Sequence, residues 1–180
     1  MPKIVDHEAY RQELALKAVD VFSEHGFNGL GMRGIAEALG VSKSALYHYF
    51  PSKEELFTAC TELVLQPHSL YGVPEGSDLP EDKEQAITGL LSALDSRFQG
   101  EMVVLLDYVK NRDTKDVAND TLLRMADNQF ISELTKLVGE SNASQAYALL
   151  FGGLMLRLLN GKQTEIEEIA SWISALSVNE

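Results

Sequence analysis

The stretch from Met32 to Lys53, MRGIAEALGVSKSALYHYFPSK, constrains this chain more than any other. Met32, Ile35, Ala36 and Leu39 recur at the spacing of one helical face. Gly40 follows, a residue type that ends helices because it enters the left-handed backbone region without a Cβ penalty. Val41 is placed to tuck under the bend, and Ser42 offers a cap for a second short helix from Ser44 to Phe50. Leu46 and Phe50, four apart, anchor that helix to a core. Two short helices joined by a glycine turn describe a helix-turn-helix, whose second helix enters a DNA major groove. A helical hairpin that touches nothing is the bland alternative.

Charge separates these two readings. The whole chain carries a formal net charge of -12, with 15 Lys+Arg against 27 Asp+Glu. Yet no Asp or Glu occurs between Ala38 and Lys53, where Lys43, His48 and Lys53 stand among Tyr47 and Tyr49. Basic and hydroxyl groups on one short surface suit phosphate oxygens. Most of the acid lies elsewhere: residues 1–65 have a net charge of -3 and the remainder -9. That balance opposes non-specific attraction to DNA and sharpens salt dependence.

The run GVSKSALYHYFPSKEEL at Gly40–Leu56 resembles the signature of the TetR/AcrR family of transcriptional regulators. IAEALG before it and FSEHGF at Phe22–Phe27 fit the same pattern, so the likeness covers roughly the first sixty residues. It implies an all-α homodimer. An N-terminal three-helix helix-turn-helix domain (1–52) would be followed by a helical ligand-binding and dimerisation domain (53–180). The implied function is sequence-specific regulation of transcription, most often repression relieved when a small molecule enters the C-terminal domain. A regulator without a small-molecule effector, constitutive or answering to a protein partner, is the other possibility. Two positions depart from the family. Gly31 stands where a threonine usually opens the second helix, and Gly34 replaces a common aspartate at a cost of about 1 kcal/mol relative to alanine.

Matching the motif residue by residue assigns the DNA contacts. Lys43, Ser44 and Ala45 open the recognition helix and face base edges; lysine donates to guanine acceptors and alanine touches a thymine methyl. Ser42, Tyr47, His48 and Lys53 grip phosphates, Arg33 reaches a phosphate or a guanine, and Tyr49 either does the same or packs in the core with its hydroxyl outside. Two-fold symmetry implies an operator with inverted half-sites about one helical turn apart, or a multiple.

The remaining chain reads as helices. A first one spans about Ala9–His25 after a frayed start at residues 1–8, and Gly26 stops it. Ser52 and Glu55 form a capping box for a fourth helix. Residues 66–82, with Pro67, Gly72, Pro74, Gly76 and Pro80, read as a mobile connection. A helix to Gln99 is expected to break at Gly100, with Glu101–Asn111 as another and Thr114–Val138 as one long helix. Asn142 is a candidate cap for a helix that is apolar nearly all round, so it must be buried on more than one side. Thr164 and Glu167 read as a capping box, and Ile166, Ile169, Ile173 and Leu176 as a seam for a partner helix. A homodimer through about residues 143–178 is the expectation.

Phe98, Met102, Leu106, Met125, Phe130, Tyr147, Phe151 and Met155 are candidates to line a ligand pocket, with Asp107, Tyr108, Asn128 and Arg112 as polar contacts. The same apolar residues also build ordinary cores. His7, His25, His48 and His68 show no nucleophile pairing or metal spacing, and no phosphate-binding glycine loop occurs, so neither enzyme, cofactor nor metal is expected. The single cysteine, Cys60, reads as a buried small hydrophobe. No signal-like or membrane-spanning stretch stands out, which leaves a cytoplasmic location as the expectation.

Overall fold

The computed structural model describes residues 6–74, 78 and 81–176, and every regular element among them is helical. In chain order these are α1 (His7–Gly29), α2 (Met32–Ala38), α3 (Lys43–Tyr49), α4 (Lys53–Val64) and α5 (Pro67–Leu70), then α6 (Lys83–Val109), α7 (Thr114–Asn119), α8 (Thr121–Val138), α9 (Glu140–Leu159) and α10 (Ile166–Ser174). None of the described helices is long and apolar enough to cross a membrane. The helices form two compact units. One holds the described residues up to Val64 together with Gly100–Asn119, and the other holds Leu65–Gln99 and the described residues from Asp120 onward.

In the first unit the Asp6 carboxylate caps α1 by accepting the N–H groups of Glu8 and Ala9, each at 3.1 Å. The helix therefore begins within the segment expected to fray. Leu14, Ala18 and Phe22 of α1, Ile35 of α2, Leu46 of α3 and Leu56 of α4 are all buried. Cys60 lies among them, donating its thiol to the Ala15 carbonyl at 3.2 Å. Burial pushes that thiol up to about 12, so it stays protonated and packs as a small hydrophobe. Ser52 Oγ accepts the Glu55 N–H at 3.1 Å, which fixes the start of α4 where the capping box placed it.

Several boundaries differ from the sequence reading. Gly100 does not break α6. A mid-helix glycine costs only about 1 kcal/mol relative to alanine, and buried residues on both sides, Leu94 and Phe98 before it and Val104 and Tyr108 after it, hold the helix in line. The break falls instead between α7 and α8, where the Asp120 carboxylate accepts the N–H groups of Leu122 and Leu123 at 2.9 and 3.0 Å and starts a new helix. Within the connection 66–82, Pro67–Leu70 is helical with Leu70 and Tyr71 buried; residues 75–77, 79 and 80 lie outside the described set. Asn142 is not a cap: it sits inside α9 and donates to the carbonyls of Val138 and Leu176 at 3.1 and 3.0 Å. Thr164 and Glu167 form no capping box either. The Thr164 hydroxyl accepts from the Asn160 amide at 2.8 Å, and Glu165 precedes α10 without a side-chain cap.

The second unit is organised by α8, α9 and α10. Ile169 and Ile173, read from sequence as part of a seam toward a partner, are fully buried inside the chain. The reason is Gly153: a Cβ placed there would lie 2.6 Å from Ile169 Cγ2, so α9 and α10 approach through a position only glycine fits. The turn between these helices is tied by Arg157, whose Nε donates to Asp95 of α6 at 3.1 Å and whose Nη1 donates to the Lys162 and Thr164 carbonyls. Lys162 Nζ reaches the other Asp95 oxygen at 2.9 Å. Burial pushes the Asp95 carboxyl upward, but hydrogen bonds from Lys162 and Arg157 outweigh it and leave the group below its ordinary value.

Two stability measurements check this packing. Gly153→Ala is expected to cost about 1–3 kcal/mol by overpacking against Ile169, read from the urea midpoint; an unchanged midpoint contradicts the close packing. Because the folded-state value of Asp95 is depressed, its contribution is present at neutral pH and lost as pH falls below about 4. Asp95→Asn is therefore expected to lower stability at pH 7 and to flatten the acid limb of a stability-versus-pH curve.

Candidate nucleic-acid interface

The bend between α2 and α3 is closed by two backbone bonds. Gly40 adopts φ +69°, its N–H donates to the Glu37 carbonyl at 3.1 Å, and the Val41 N–H donates to the Ala36 carbonyl at 3.0 Å. This pairing satisfies the last carbonyls of α2 and requires a left-handed residue at position 40. Ser42 Oγ then accepts the Ala45 N–H at 3.1 Å and opens α3. Leu46 and Phe50 are fully buried. With those two turned inward, Ser42, Lys43, Ser44, Tyr47 and His48 are exposed, and Ala45 is half-buried. Lys43 Nζ lies 5.4 Å from the centre of the Tyr47 ring, and the Ser42 and Ser44 hydroxyls are 3.1 Å apart. One short helix thus presents a cation, an aromatic hydroxyl, an imidazole and two serines.

The other motif residues are placed less simply. Arg33 is exposed on α2 and donates to Glu37 at 3.0 Å, a surface pair of small energy that a phosphate can replace. Tyr49 is half-buried: its hydroxyl lies 2.9 Å from His7 Nδ1, and its ring packs 5.3 Å from Tyr10. His7 also stands 6.1 Å from the His48 ring. The start of α1 therefore joins α3, through a histidine that carried no signal of its own in the sequence. Lys53 is partly buried, with Nζ 3.4 Å from the Leu30 carbonyl and 4.4 Å from the Phe27 ring centre. Its charge is engaged with the segment leading into α2. Arg11, 4.8 Å over the Phe50 ring, braces the base of α3.

The pocket candidates are divided between the two units. Phe98, Phe130, Tyr147 and Phe151 form a ring cluster in the second unit, with centroids 4.9–6.0 Å apart between contacting pairs. Met125 and Met155 belong to the same unit and are half-buried. The Tyr147 hydroxyl donates to Asp127 at 2.7 Å, and burial together with that carboxylate raises it above the usual tyrosine range. Met102, Leu106 and Asp107 belong instead to the first unit. Leu106 is 61% exposed, and the Asp107 carboxylate accepts the backbone N–H of Asn28. Tyr108 packs on Phe27, with the Arg112 guanidinium 4.0 Å over its ring; Asn128 is exposed.

Comparison with known proteins bears on both units. Residues 16–60 match the profile described as bacterial regulatory proteins, tetR family. The HTH-type transcriptional regulator PksA of Bacillus subtilis is 41% identical over 64 residues, covering 36% of this chain and 31% of that protein. The tetracycline repressor protein class A from transposon 1721 of Escherichia coli is 39% identical over 61 residues, covering 34% of this chain and 28% of the repressor. The matched stretch thus spans about a third of these relatives' length. A solved TetR-family member from Streptomyces coelicolor A3 matches 95% of this chain and 98% of its own, at a TM-score of 0.66 and 15% identity, which is a likeness of fold. Residues 16–60 thus carry the helix-turn-helix segment of the tetR family of bacterial regulatory proteins, and nearly the whole chain shares the fold of a solved member of that family.

Proposed function

We propose that the chain is a sequence-specific DNA-binding transcriptional regulator, a homodimer that represses from an inverted-repeat operator and is released by a small molecule. The observation that carries the DNA reading is α3. It is a helix pinned from beneath by two fully buried side chains, whose exposed residues include no acid, in a protein of net charge -12. Lys43 and Ser44, at the N-terminal end of α3, stand where a recognition helix meets base edges. Tyr47 and His48, one turn on, stand where phosphates pass. The effector reading draws support from the tetracycline repressor's name and from the aromatic cluster of the second unit. That cluster also supports a second reading, because rings already packed on one another suit an ordinary core. A thermal-shift screen separates the two: an effector raises the melting temperature, and a filled core gives no hit.

Homodimerisation rests on α9. Ile169 and Ile173 are consumed inside the chain, but Leu156 and Leu159 are 47% and 77% exposed, and Gly152, one turn before Leu156, has open space where a Cβ would be. A small residue followed by two leucines on one face fits a close helix contact with a second copy. The parent is expected to sediment at twice 19.9 kDa, and the double variant Leu156→Glu, Leu159→Glu at 19.9 kDa. A parent at 19.9 kDa removes the dimer from the proposal.

Selection from random duplex DNA tests the function directly. The expected product is an inverted repeat with half-sites one helical turn apart or a multiple. Lys43→Ala is expected to relax preference at one position per half-site by about 1–3 kcal/mol. His48→Ala is expected to weaken binding to all duplexes alike. Absence of any preference in the parent overturns the reading.

A further inference from the structure

Within the first unit, the last turn of α6 grips the end of α1. Asp107 accepts the Asn28 N–H on its carboxylate, and Asn28 Nδ2 donates back to the Asp107 carbonyl at 2.7 Å. Two residues 79 apart in sequence thus hold each other reciprocally. The grip closes over a bend: Gly26 has φ +73°, and a Cβ there would lie 3.0 Å from Asp107 Oδ2. Lys110 Nζ reaches the other carboxylate oxygen. Lys110 first and the Asn28 N–H second hold the Asp107 carboxyl below its usual range, so it stays an anionic acceptor. Next along α6, the Tyr108 ring sits 4.9 Å from Phe27 and 5.1 Å from Phe57.

The segment beyond the bend gives this grip its consequence. The chain leaves Asn28, passes Leu30 and enters α2 at Gly31, which offers no side-chain cap. The direction of entry into α2 is therefore fixed from outside: by Asp107 on the Asn28 N–H and by Lys53 beside the Leu30 carbonyl. The aligned family segment ends at residue 60, so Asp107 lies well beyond it. We infer that Asp107 is a positioning residue for DNA recognition, orienting α2, and through the Gly40 bend α3, without touching DNA itself. This inference rests on the proposed DNA-binding function for its consequence, and on the hydrogen bonds for its mechanism.

Two readouts on the full-length protein test it. The first is binding to the duplex selected by the parent. Asp107→Ala is expected to bind that duplex about tenfold more weakly, since a hydrogen bond to a charged acceptor is lost. Its salt slope should stay unchanged because no phosphate contact is removed. Asp107→Asn keeps an acceptor for the Asn28 N–H and is expected to recover most of the affinity. The second readout is hydrogen exchange without DNA, where Asp107→Ala is expected to speed exchange across residues 26–36 and leave the second unit at parent rates. Parent-like affinity of Asp107→Ala, or faster exchange spread evenly over both units, overturns the assignment. If the alanine variant does not fold, Asn28→Ala, which removes the return bond, is held to the same two outcomes. If the parent itself selects no duplex, the functional reading fails, while the exchange pattern still decides the joint.

Discussion

The burial of Leu46 and Phe50 is the constraint on which the exposed face of α3 depends. A seven-residue helix has too few backbone hydrogen bonds to persist alone. Here α3 is held by two large side chains, both with no solvent exposure, and by the Ser42 cap at its start. Four-residue spacing puts both anchors on one side. The positions left over, Lys43, Ser44, Tyr47 and His48, must then face outward. The polar face is a by-product of the apolar anchor. The Gly40 bend works with it, because the two backbone bonds that close the turn need a left-handed residue at that point.

Charge in this acidic chain is segregated, as the proposed DNA contact by α3 requires. The stretch Ala38–Lys53 contains no carboxylate, and the nearest acid on α2, Glu37, is engaged with Arg33. Over one Debye length, roughly 8 Å at physiological salt, the local charges dominate the remote ones. The remaining acids lower the attraction of the whole molecule for any polyanion, so under the proposed function affinity would come from the fit of α3 and its supports. This places a premium on the groups that set the attitude of α2 and α3, and those come from far along the chain: Phe27 and Lys53 in contact, Tyr108 over Phe27, Asp107 over the Gly26 bend.

Local rules made the helix-turn-helix legible from sequence. Gly40, Ser42, Ser52 and the Leu46–Phe50 spacing act within a few residues of themselves, and each acts in the structure as its chemistry demands. Where the sequence reading failed, two local rules conflicted or the deciding partner was distant. Gly100 signals a break, yet anchored neighbours on both sides override a cost of about 1 kcal/mol. Asp120 is an ordinary cap residue inside a pattern that otherwise runs on, and the cap prevailed. Thr164 has the spacing of a capping box but turns its hydroxyl to Asn160. Asp107, offered by the sequence as a polar contact, also accepts from Asn28, a partner 79 residues away that no local rule reveals. His7 gave no signal at all, since only the folded chain brings it to Tyr49.

The pair Gly152–Gly153 shows how one helix can be apolar all round and still make sense. Successive residues on a helix point about 100° apart, so the two glycines serve different faces. Gly153 is buried and admits Ile169, and Ala143, Ala146, Leu150 and Leu154 are buried along the same helix. Gly152 looks outward, with Leu156 and Leu159 following at helical spacing on the exposed side. The inner face is accounted for by α10, which uses up the isoleucines that the sequence had offered to a partner. The outer face keeps two exposed leucines and a glycine in a chain with no shortage of charged residues to cover them. A second copy related by a two-fold axis would bring the same face against itself, and in doing so would set two α3 helices to read one inverted repeat. On this reading the excess apolarity of α9 and the symmetry of the operator have one cause.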